Sequence, residues 1–258
     1  MNLKTDLMGN TFDIYQDQIT LKKQLWYHFY MGIIFLAVYI LISGHLVDMG
    51  YPGLAPLLLV ELLVLTPLAT THLLRKGKEL NGRYTLKNVI AYTEKLSVGQ
   101  YIKWSLIGML ACLVVFIPLY PIGLWIKENI FFWLPEWYFD PGFGSANLSL
   151  IAKVFFLGIF IDGIIGPLVE ELFFRGYLLP RMAYLKKWAP ILNGALFGLY
   201  HFWQPHNYMA TVLIGIILSW IVWKKKNVYL GIIIHCTLNT LGALAGFLAA
   251  SEGLPMFR

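Results

Sequence analysis

Seven apolar runs separated by short polar segments account for most of the chain after residue 24. They lie at Leu25–Val47, Leu54–Leu74, Lys103–Ile126, Leu148–Pro180, Pro190–Trp203, Tyr208–Trp223 and Val228–Ala250. A helix needs about 20 apolar residues to cross the hydrocarbon core of a bilayer, and most runs approach that length. The fourth run is too long for one straight crossing, and Gly166-Pro167 could kink it or divide it in two. The pattern therefore predicts an all-α, polytopic membrane bundle of seven to eight transmembrane helices.

Composition places the chain in the same class. Hydrophobic residues make up 58% of its 258 residues and charged residues 13%, and the mean hydropathy is +0.64. A soluble domain of this size would need more polar surface than this composition supplies. The net charge of +6 comes from bases in short segments between apolar runs, which is typical of loops facing anionic lipid headgroups. We therefore expect membrane lipids as partners and no nucleic acid.

The basic residues collect in alternate loops, which predicts the orientation of the chain. The first 24 residues are polar and the apolar run after them is too long for the core of a signal peptide, so no cleavable signal is expected. With seven crossings, the N-terminus would be cytoplasmic and the C-terminus external, as in a multi-pass protein of the cell membrane. The bases are Lys22 and Lys23; Arg75, Lys76, Lys78, Arg83, Lys87 and Lys95; Arg181, Lys186 and Lys187; and Lys224, Lys225 and Lys226.

Three ionisable residues interrupt the fourth apolar run within Glu170-Glu171-Leu172-Phe173-Phe174-Arg175. A charged side chain near the bilayer centre costs about 2.5–3.5 kcal/mol on insertion scales, so such residues usually face a protein interior or a water-filled cavity. On a helix Glu171 and Arg175 share one face and can pair, whereas Glu170 points about 100° away. The pattern predicts a structural carboxylate beside an available one. The alternative is a single ion network that only fixes helix packing.

Two later apolar runs each contain a pair of residues four apart, and each pair includes a histidine. Phe197 precedes His201 by four residues, and His235 precedes Asn239 by four, so each pair projects from one face of its helix. Counted at 1.5 Å per residue, Glu170, His201 and His235 each lie about 13–16 Å from the end of their run, near the membrane midplane. We therefore predict one common site.

Gly194 and Gly198 form a small-xxx-small pair in the fifth run, and they would let this helix approach a neighbour closely. Close packing is what would bring polar groups from separate helices into one site.

A carboxylate, two imidazoles and a carboxamide suit hydrolysis of an amide bond. Glu170 would act as general base, and His201 would help to hold and polarise the attacking water. His235 and Asn239 are donors that could stabilise the oxyanion at the scissile carbonyl. Alternatively, Glu170, His201 and His235 could hold a zinc ion, because two histidines and a glutamate are a familiar zinc set. The spacing leaves both mechanisms open.

The three motifs together carry a resemblance to a known family. Glu170-Glu171-x-x-x-Arg175-Gly176, Phe197-x-x-x-His201 and His235-x-x-x-Asn239 occur in this order on separate predicted membrane helices. In this they resemble the type II CAAX prenyl endopeptidases and bacteriocin-processing proteins, the CPBP or Abi family of intramembrane proteases. The resemblance covers roughly residues 148–250.

The resemblance implies an intramembrane endopeptidase that cleaves a peptide or a lipidated protein. Catalysis would rest on Glu170, His201, His235 and Asn239, with Glu171, Arg175 and Phe197 as structural support. The resemblance implies a catalytic core at 148–250, and the apolar and charge pattern predicts a cytoplasmic segment (1–24), N-terminal transmembrane helices and loops (25–147) and a C-terminal tail (251–258).

The resemblance does not decide whether the protease uses zinc or whether the protein is catalytic at all. We expect no stoichiometric zinc, because Asn239 is a good oxyanion donor and a poor zinc ligand, but a zinc-dependent version of the protease is the alternative. A non-catalytic immunity or scaffold protein is the rival class. A transporter is a third reading, and the sequence has no duplicated half to support it.

Three further polar residues receive no catalytic role. Asp162 and Glu61 also lie within apolar runs, and either could line the cavity, but pairing with a neighbouring helix or local water is the expected role. His28 falls near a predicted membrane interface, where an ordinary amphipathic side chain suffices.

Overall fold

The computed structural model describes residues 17–139 and 147–253. Over these residues the chain is helical, apart from turns, loops and one isolated β-bridge between Thr93 and Asn227. Each of the seven predicted runs becomes one helical segment, which confirms the all-α polytopic architecture. The segments are α1 (Leu21–Asp48), α2 (Leu54–Asn81), α3 (Val98–Asn129), α4 (Leu148–Leu185), α5 (Trp188–Leu199), α6 (Tyr208–Lys225) and α7 (Val228–Glu252).

Six of these segments are long and apolar enough to cross a membrane, when α6 is counted with the short turn Pro205–Asn207 before it. The exception is α5, whose 12 residues extend about 18 Å, less than the thickness of the hydrocarbon core. The protein is therefore a multi-pass membrane protein in which α5 is a shorter apolar helix. The cytoplasmic position of the N-terminus stays a prediction.

The polar and small residues at the helix ends explain where several segments begin. Ser97 and Gln100 form a reciprocal capping box at the start of α3. The side chain of Asn147 accepts a hydrogen bond from the backbone of Ser149 at the start of α4, and Asn227 caps α7 in a similar way. These caps satisfy backbone N–H groups that have no partner within the helix.

Helix α4 continues through Gly166-Pro167, so the alternative division into two helices does not occur in the described part of the chain. Proline has no N–H to donate to the carbonyl of Gly163, four residues earlier, and a π-turn at Ile161–Ile165 lies at this point. The carbonyl of Gly163 instead accepts a hydrogen bond of 3.1 Å from the hydroxyl of Thr240 on α7. Backbone groups within a membrane need such internal partners. Helix α7 therefore holds the irregular part of α4 in place.

Helices α5 and α6 pack against each other through glycine. A Cβ atom at Gly194 would meet the backbone of Gly215 and Ile216, and one at Gly198 would meet the backbone of Val212. The predicted close approach of the Gly194 and Gly198 face is therefore confirmed, and the neighbour is α6.

The second half of α4 lies at the centre of the protein. Phe173, Phe174, Tyr177 and Leu178 are all buried there and contact the hydrophobic core that α1 and α2 share. By contrast, α3 lies at the periphery, where it packs on α6 and α7 through Cys112 and leaves most of its apolar side chains exposed. The functional motif of α4 is therefore surrounded by protein rather than by lipid.

Candidate active site

The four residues predicted to be catalytic line one buried cavity. Glu170 comes from α4, His201 from the segment directly after α5, and His235 and Asn239 from α7. The cavity has a volume of about 70 Å³, which is room for a few water molecules. The four side chains are thus brought to one place, but His201 lies after the end of α5, whereas the run at residues 190–203 had predicted it on a helix.

Glu171 and Arg175 form the buried ion pair that the spacing predicts. Nη1 of Arg175 lies 3.0 Å from Oε1 of Glu171, and both side chains are completely buried. The other two guanidinium nitrogens also donate hydrogen bonds: Nε to the hydroxyl of Ser219 (3.2 Å) and Nη2 to the carbonyl of Gly215 (3.3 Å). The guanidinium carbon lies 3.8 Å from the ring centre of Phe197. Phe197 therefore supports Arg175 directly.

A hydrogen-bonded chain extends from this ion pair to α1. The hydroxyl of Ser219 donates to Oδ1 of Asn193 (2.8 Å), and Nδ2 of Asn193 donates to the carbonyl of Phe174 (3.0 Å) and to Nε2 of His28 (3.1 Å). Nδ1 of His28 then donates to the carbonyl of Gln24 (2.7 Å). Because each donor meets an acceptor, the amide and imidazole orientations are determined throughout. We call these residues, with Glu171 and Arg175, the buried network.

His28 is a correction to the sequence analysis. It was expected near a membrane interface, but it is fully buried and contacts Asn193 on α5. Asn193 and Ser219 were not identified from the sequence at all. Neither has a polar residue at helical spacing, so the signal that connects them is the close contact of α5 with α6.

His235 connects the buried network to the cavity. Its Nδ1 lies 3.0 Å from Oε1 of Glu171, and its Nε2 lies 3.9 Å from Oε2 of Glu170. A carboxylate only accepts hydrogen bonds, so Nδ1 carries a hydrogen and Nε2 is an acceptor whenever the ring is neutral. The ring can donate from Nε2 only when both nitrogens carry hydrogen. The two neighbouring glutamates thus contact opposite sides of one imidazole.

His201 is oriented by a hydrogen bond to the last turn of α5. Its Nδ1 donates to the carbonyl of Phe197 (2.9 Å), so Nε2 of the neutral ring is left as an acceptor. The rings of Tyr200 and Trp203 lie 4.3 and 5.0 Å from the imidazole, measured between centroids, and hold its plane. The i,i+4 relation with Phe197 is therefore both a ring contact and a backbone hydrogen bond.

Asn239 has a structural hydrogen bond that spacing did not predict. Its Nδ2 donates to the backbone carbonyl of Asp162 at 3.1 Å, next to the bond between Thr240 and Gly163. This bond uses one of the two amide hydrogens. The other hydrogen is available to a group in the cavity that Asn239 lines.

Glu61 and Asp162 line the same cavity as the four predicted residues. Glu61 is 6% exposed, and its Oε2 has no hydrogen-bond partner among the residues that the structure describes. Of the roles expected for Glu61, the structure shows the position in the cavity, and the carboxylate packs against Gly166 of α4, which has no side chain. Pairing with local water stays a prediction. The site thus includes a residue of α2, outside the region of the three motifs.

Zinc dependence stays an alternative, which can be compared with the positions of Glu170, His201 and His235. Zinc ligands approach a common point to within about 2.0–2.2 Å. Over residues 17–139 and 147–253, no three His, Cys, Asp or Glu side chains converge in this way. The Nδ1 atoms of His235 and His201 bond to Glu171 and Phe197, and this leaves Nε2 of each ring as the atom that could face a ligand.

Fold and site together define the class: a helical membrane protein with a buried cavity of carboxylates, imidazoles and a carboxamide. Residues 152–241 match the family described as Type II CAAX prenyl endopeptidase Rce1-like. This range contains all three motifs, and the match confirms the resemblance inferred from them. The similarity supports a membrane peptidase.

Two curated relatives are similar to parts of the chain. The UPF0177 protein YxdF of Lactococcus lactis subsp. lactis (strain IL1403) is 33% identical over 86 residues, which are 33% of this chain and 48% of the relative. The Bacillus subtilis (strain 168) protein named "Putative membrane peptidase YdiL" is 26% identical over 161 residues, 60% of each chain. The chain thus spans about half to three fifths of these relatives' lengths. No solved structure gives a significant match.

Proposed function

We propose that this protein is an intramembrane endopeptidase that hydrolyses a peptide bond in a membrane-associated or lipidated protein. The observation that carries the proposal is that Glu170, His201, His235 and Asn239 line one buried cavity. The similarity to the Rce1-like family supports the same reaction class. No step of the mechanism below requires a metal ion.

Glu170 and His201 activate the attacking water. Nε2 of His201 is an acceptor, and the carboxylate of Glu170 lies outside the ion pair of Glu171 with Arg175. A water that donates one hydrogen to each of these groups keeps a lone pair for the scissile carbonyl carbon. As the new C–O bond forms, Glu170 takes the proton as general base.

His235 and Asn239 stabilise the oxyanion. Asn239 donates with the amide hydrogen that is not bound to Asp162, and His235 donates from Nε2 in its doubly protonated form. Glu171 supports that form, because its carboxylate accepts from Nδ1 of His235. In a site with little water such donors act with little screening. The buried network therefore contributes to catalysis by orienting His235.

Comparing membrane peptides from cells that produce either the wild type or Glu170→Gln tests the proposed function. Mass spectrometry should detect cleavage products that the wild type forms and the variant does not. Glu128→Gln, an exposed carboxylate at the end of α3, is the matched control and should give the wild-type pattern. Identical peptide profiles for the wild type and Glu170→Gln would contradict the proposal.

The alternation of bases also supports a cytoplasmic N-terminus and a cytoplasmic loop between α4 and α5. In a chain otherwise free of cysteine, Lys186→Cys should react with a membrane-impermeant maleimide only after the cells are opened. Labelling of this residue from outside intact cells would reverse the proposed orientation.

A further inference from the structure

A line of carboxyl groups forms one wall of the cavity. Asp162 and Glu170 both belong to α4 and line the cavity, and Gly166 lies midway between them in the sequence. A Cβ atom at Gly166 would meet the carboxylate of Glu61. Glu61 of α2 therefore occupies the space that a side chain at position 166 would fill. The fold thus introduces a third carboxyl group between two that α4 already supplies.

The carboxyl group of Glu61 is buried without a compensating partner. Its Oε2 makes no hydrogen bond within the described residues, and the guanidinium of Arg175 is committed to Glu171, Ser219 and Gly215. Buried polar groups in proteins are nearly always hydrogen-bonded, so an exception in a cavity indicates a role toward something that enters it.

The backbone gives a second indication at the same place. Glu61 begins a π-turn, Glu61–Leu65, and Asp162 lies in another, Ile161–Ile165. Single π-turns within longer helices occur frequently at functional sites. Here two helices that contact each other both have this irregularity where their acidic side chains reach the cavity.

Peptide hydrolysis needs a proton donor for the leaving nitrogen as well as a base for the attacking water. The leaving nitrogen must receive a proton, since an amide anion is not expelled from the tetrahedral intermediate. Glu170, once it has taken the proton of the water, can return that proton to nitrogen, or a second acid can supply one directly. His201, with Nδ1 held by Phe197, presents only an acceptor to the water. A separate acid on the wall of the cavity would meet the requirement.

We propose that Glu61 is this acid, and that Glu61 and Asp162 form the subsite for the amino group of the leaving half of the substrate. The proposal rests on the proposed function. An acidic subsite attracts an amine and repels a carboxylate, so it also determines the direction in which the substrate chain enters. The leaving half lies toward Glu61, and the acyl half lies toward His235 and Asn239.

The proton balance of the reaction is complete without a further reactant. Water adds to the carbonyl carbon while one proton passes to Glu170. The C–N bond then breaks as the carboxyl group of Glu61 gives its proton to nitrogen, which leaves a free amine, a carboxylic acid and the carboxylate of Glu61. The carboxylic acid ionises and protonates the amine. The proton on Glu170 returns to Glu61 through cavity water.

An ester substrate separates this role from a structural one. The probe is a quenched fluorescent transmembrane peptide that the wild type cleaves, and its partner is the same peptide with the scissile amide replaced by an ester. An alcohol leaves without prior protonation far more readily than an amine, so the ester does not need the acid. Glu61→Gln should therefore lower kcat for the amide by about 100-fold or more and leave ester hydrolysis little changed.

Matched variants make the result interpretable. Glu170→Gln should abolish hydrolysis of both substrates, and Glu79→Gln, an exposed residue of the same helix as Glu61, should change neither. Gly166→Ala keeps the acid but displaces its carboxylate, so it should lower the ratio of amide to ester cleavage in the same direction as Glu61→Gln.

Two results would overturn the assignment. Equal loss of amide and ester hydrolysis in folded Glu61→Gln, with Glu170→Gln inactive on both, would refute the role of Glu61 and leave the proposed function intact. Failure of the wild type to cleave any peptide or its ester would refute the proposed function and this inference together.

Discussion

The buried network and the cavity lie on opposite sides of His235, and they treat buried charge in opposite ways. In the network Arg175 meets a carboxylate, a hydroxyl, a carbonyl and an aromatic face. In the cavity Glu61, Asp162 and Glu170 line one small space, and Oε2 of Glu61 has no partner in the described part of the chain. Oε2 of Glu171 also lacks a hydrogen-bond partner among the described residues, but Arg175 matches the charge of that carboxylate. The network holds helices together and orients His235, whereas the cavity is where a substrate can be acted on.

The two regions meet at adjacent residues of one helix. Glu171 points into the network and Glu170 into the cavity, because successive helical side chains diverge by about 100°. The same stretch of α4 therefore anchors the fold and supplies the general base. The comparison shows that the role of a buried charged residue is inferred from the groups it contacts and not from its depth in the membrane alone.

Loss of Arg175 should have the largest effect on stability. Arg175→Met leaves Glu171 as an unmatched buried carboxylate, and removing one member of a buried pair costs about 3–5 kcal/mol. Thermal unfolding in detergent measures this loss, with Lys187→Met at the exposed start of α5 as the control. An unchanged melting temperature in Arg175→Met would contradict the distinction between network and cavity.

Loss of Asn239 should act mainly on turnover. Asn239→Ala removes one oxyanion donor from the cavity, which lowers kcat by about 100-fold or more in comparable cases. Steady-state hydrolysis of a cleavable peptide measures the effect, and KM should change much less than kcat. If kcat is retained, the bond from Asn239 to the carbonyl of Asp162 is its whole role.

Loss of the Thr240 hydroxyl should have the smallest effect of the three. Thr240→Val removes the hydrogen bond to the carbonyl of Gly163 beside Pro167, which should cost about 1 kcal/mol of stability. Thr240 is absent from the residues that line the cavity, so turnover at a temperature where the variant is folded should equal that of the wild type. A loss of kcat as large as that of Asn239→Ala would place Thr240 in the chemistry.

The comparison also explains what the sequence could predict. Apolar runs predicted all seven helical segments. Six of them are long enough to cross a bilayer, which imposes a length on its helices, whereas α5 is shorter. The ion pair of Glu171 with Arg175 was predicted because both residues lie on one helix, where spacing alone determines contact. The helical segments depend on the bilayer, and the ion pair depends on the geometry of a single helix.

Contacts between helices were predicted less well. Glu61 enters the cavity because Gly166 on another helix leaves room for it, and neither residue belongs to a spaced motif. Asn239 bonds to Asp162 because a π-turn presents a backbone carbonyl to α7, and the position of that turn is not visible in the apolar pattern. The burial of His28 was not predicted, because its partner, Asn193, comes from a helix far along the chain.

The central claim is that two adjacent carboxylates divide catalysis from stability. The most direct test measures peptide cleavage and thermal unfolding side by side for Glu170→Gln and Glu171→Gln. We expect Glu170→Gln to lose cleavage while its melting temperature stays close to that of the wild type, and Glu171→Gln to unfold at a clearly lower temperature. Cleavage retained in folded Glu170→Gln would contradict the account.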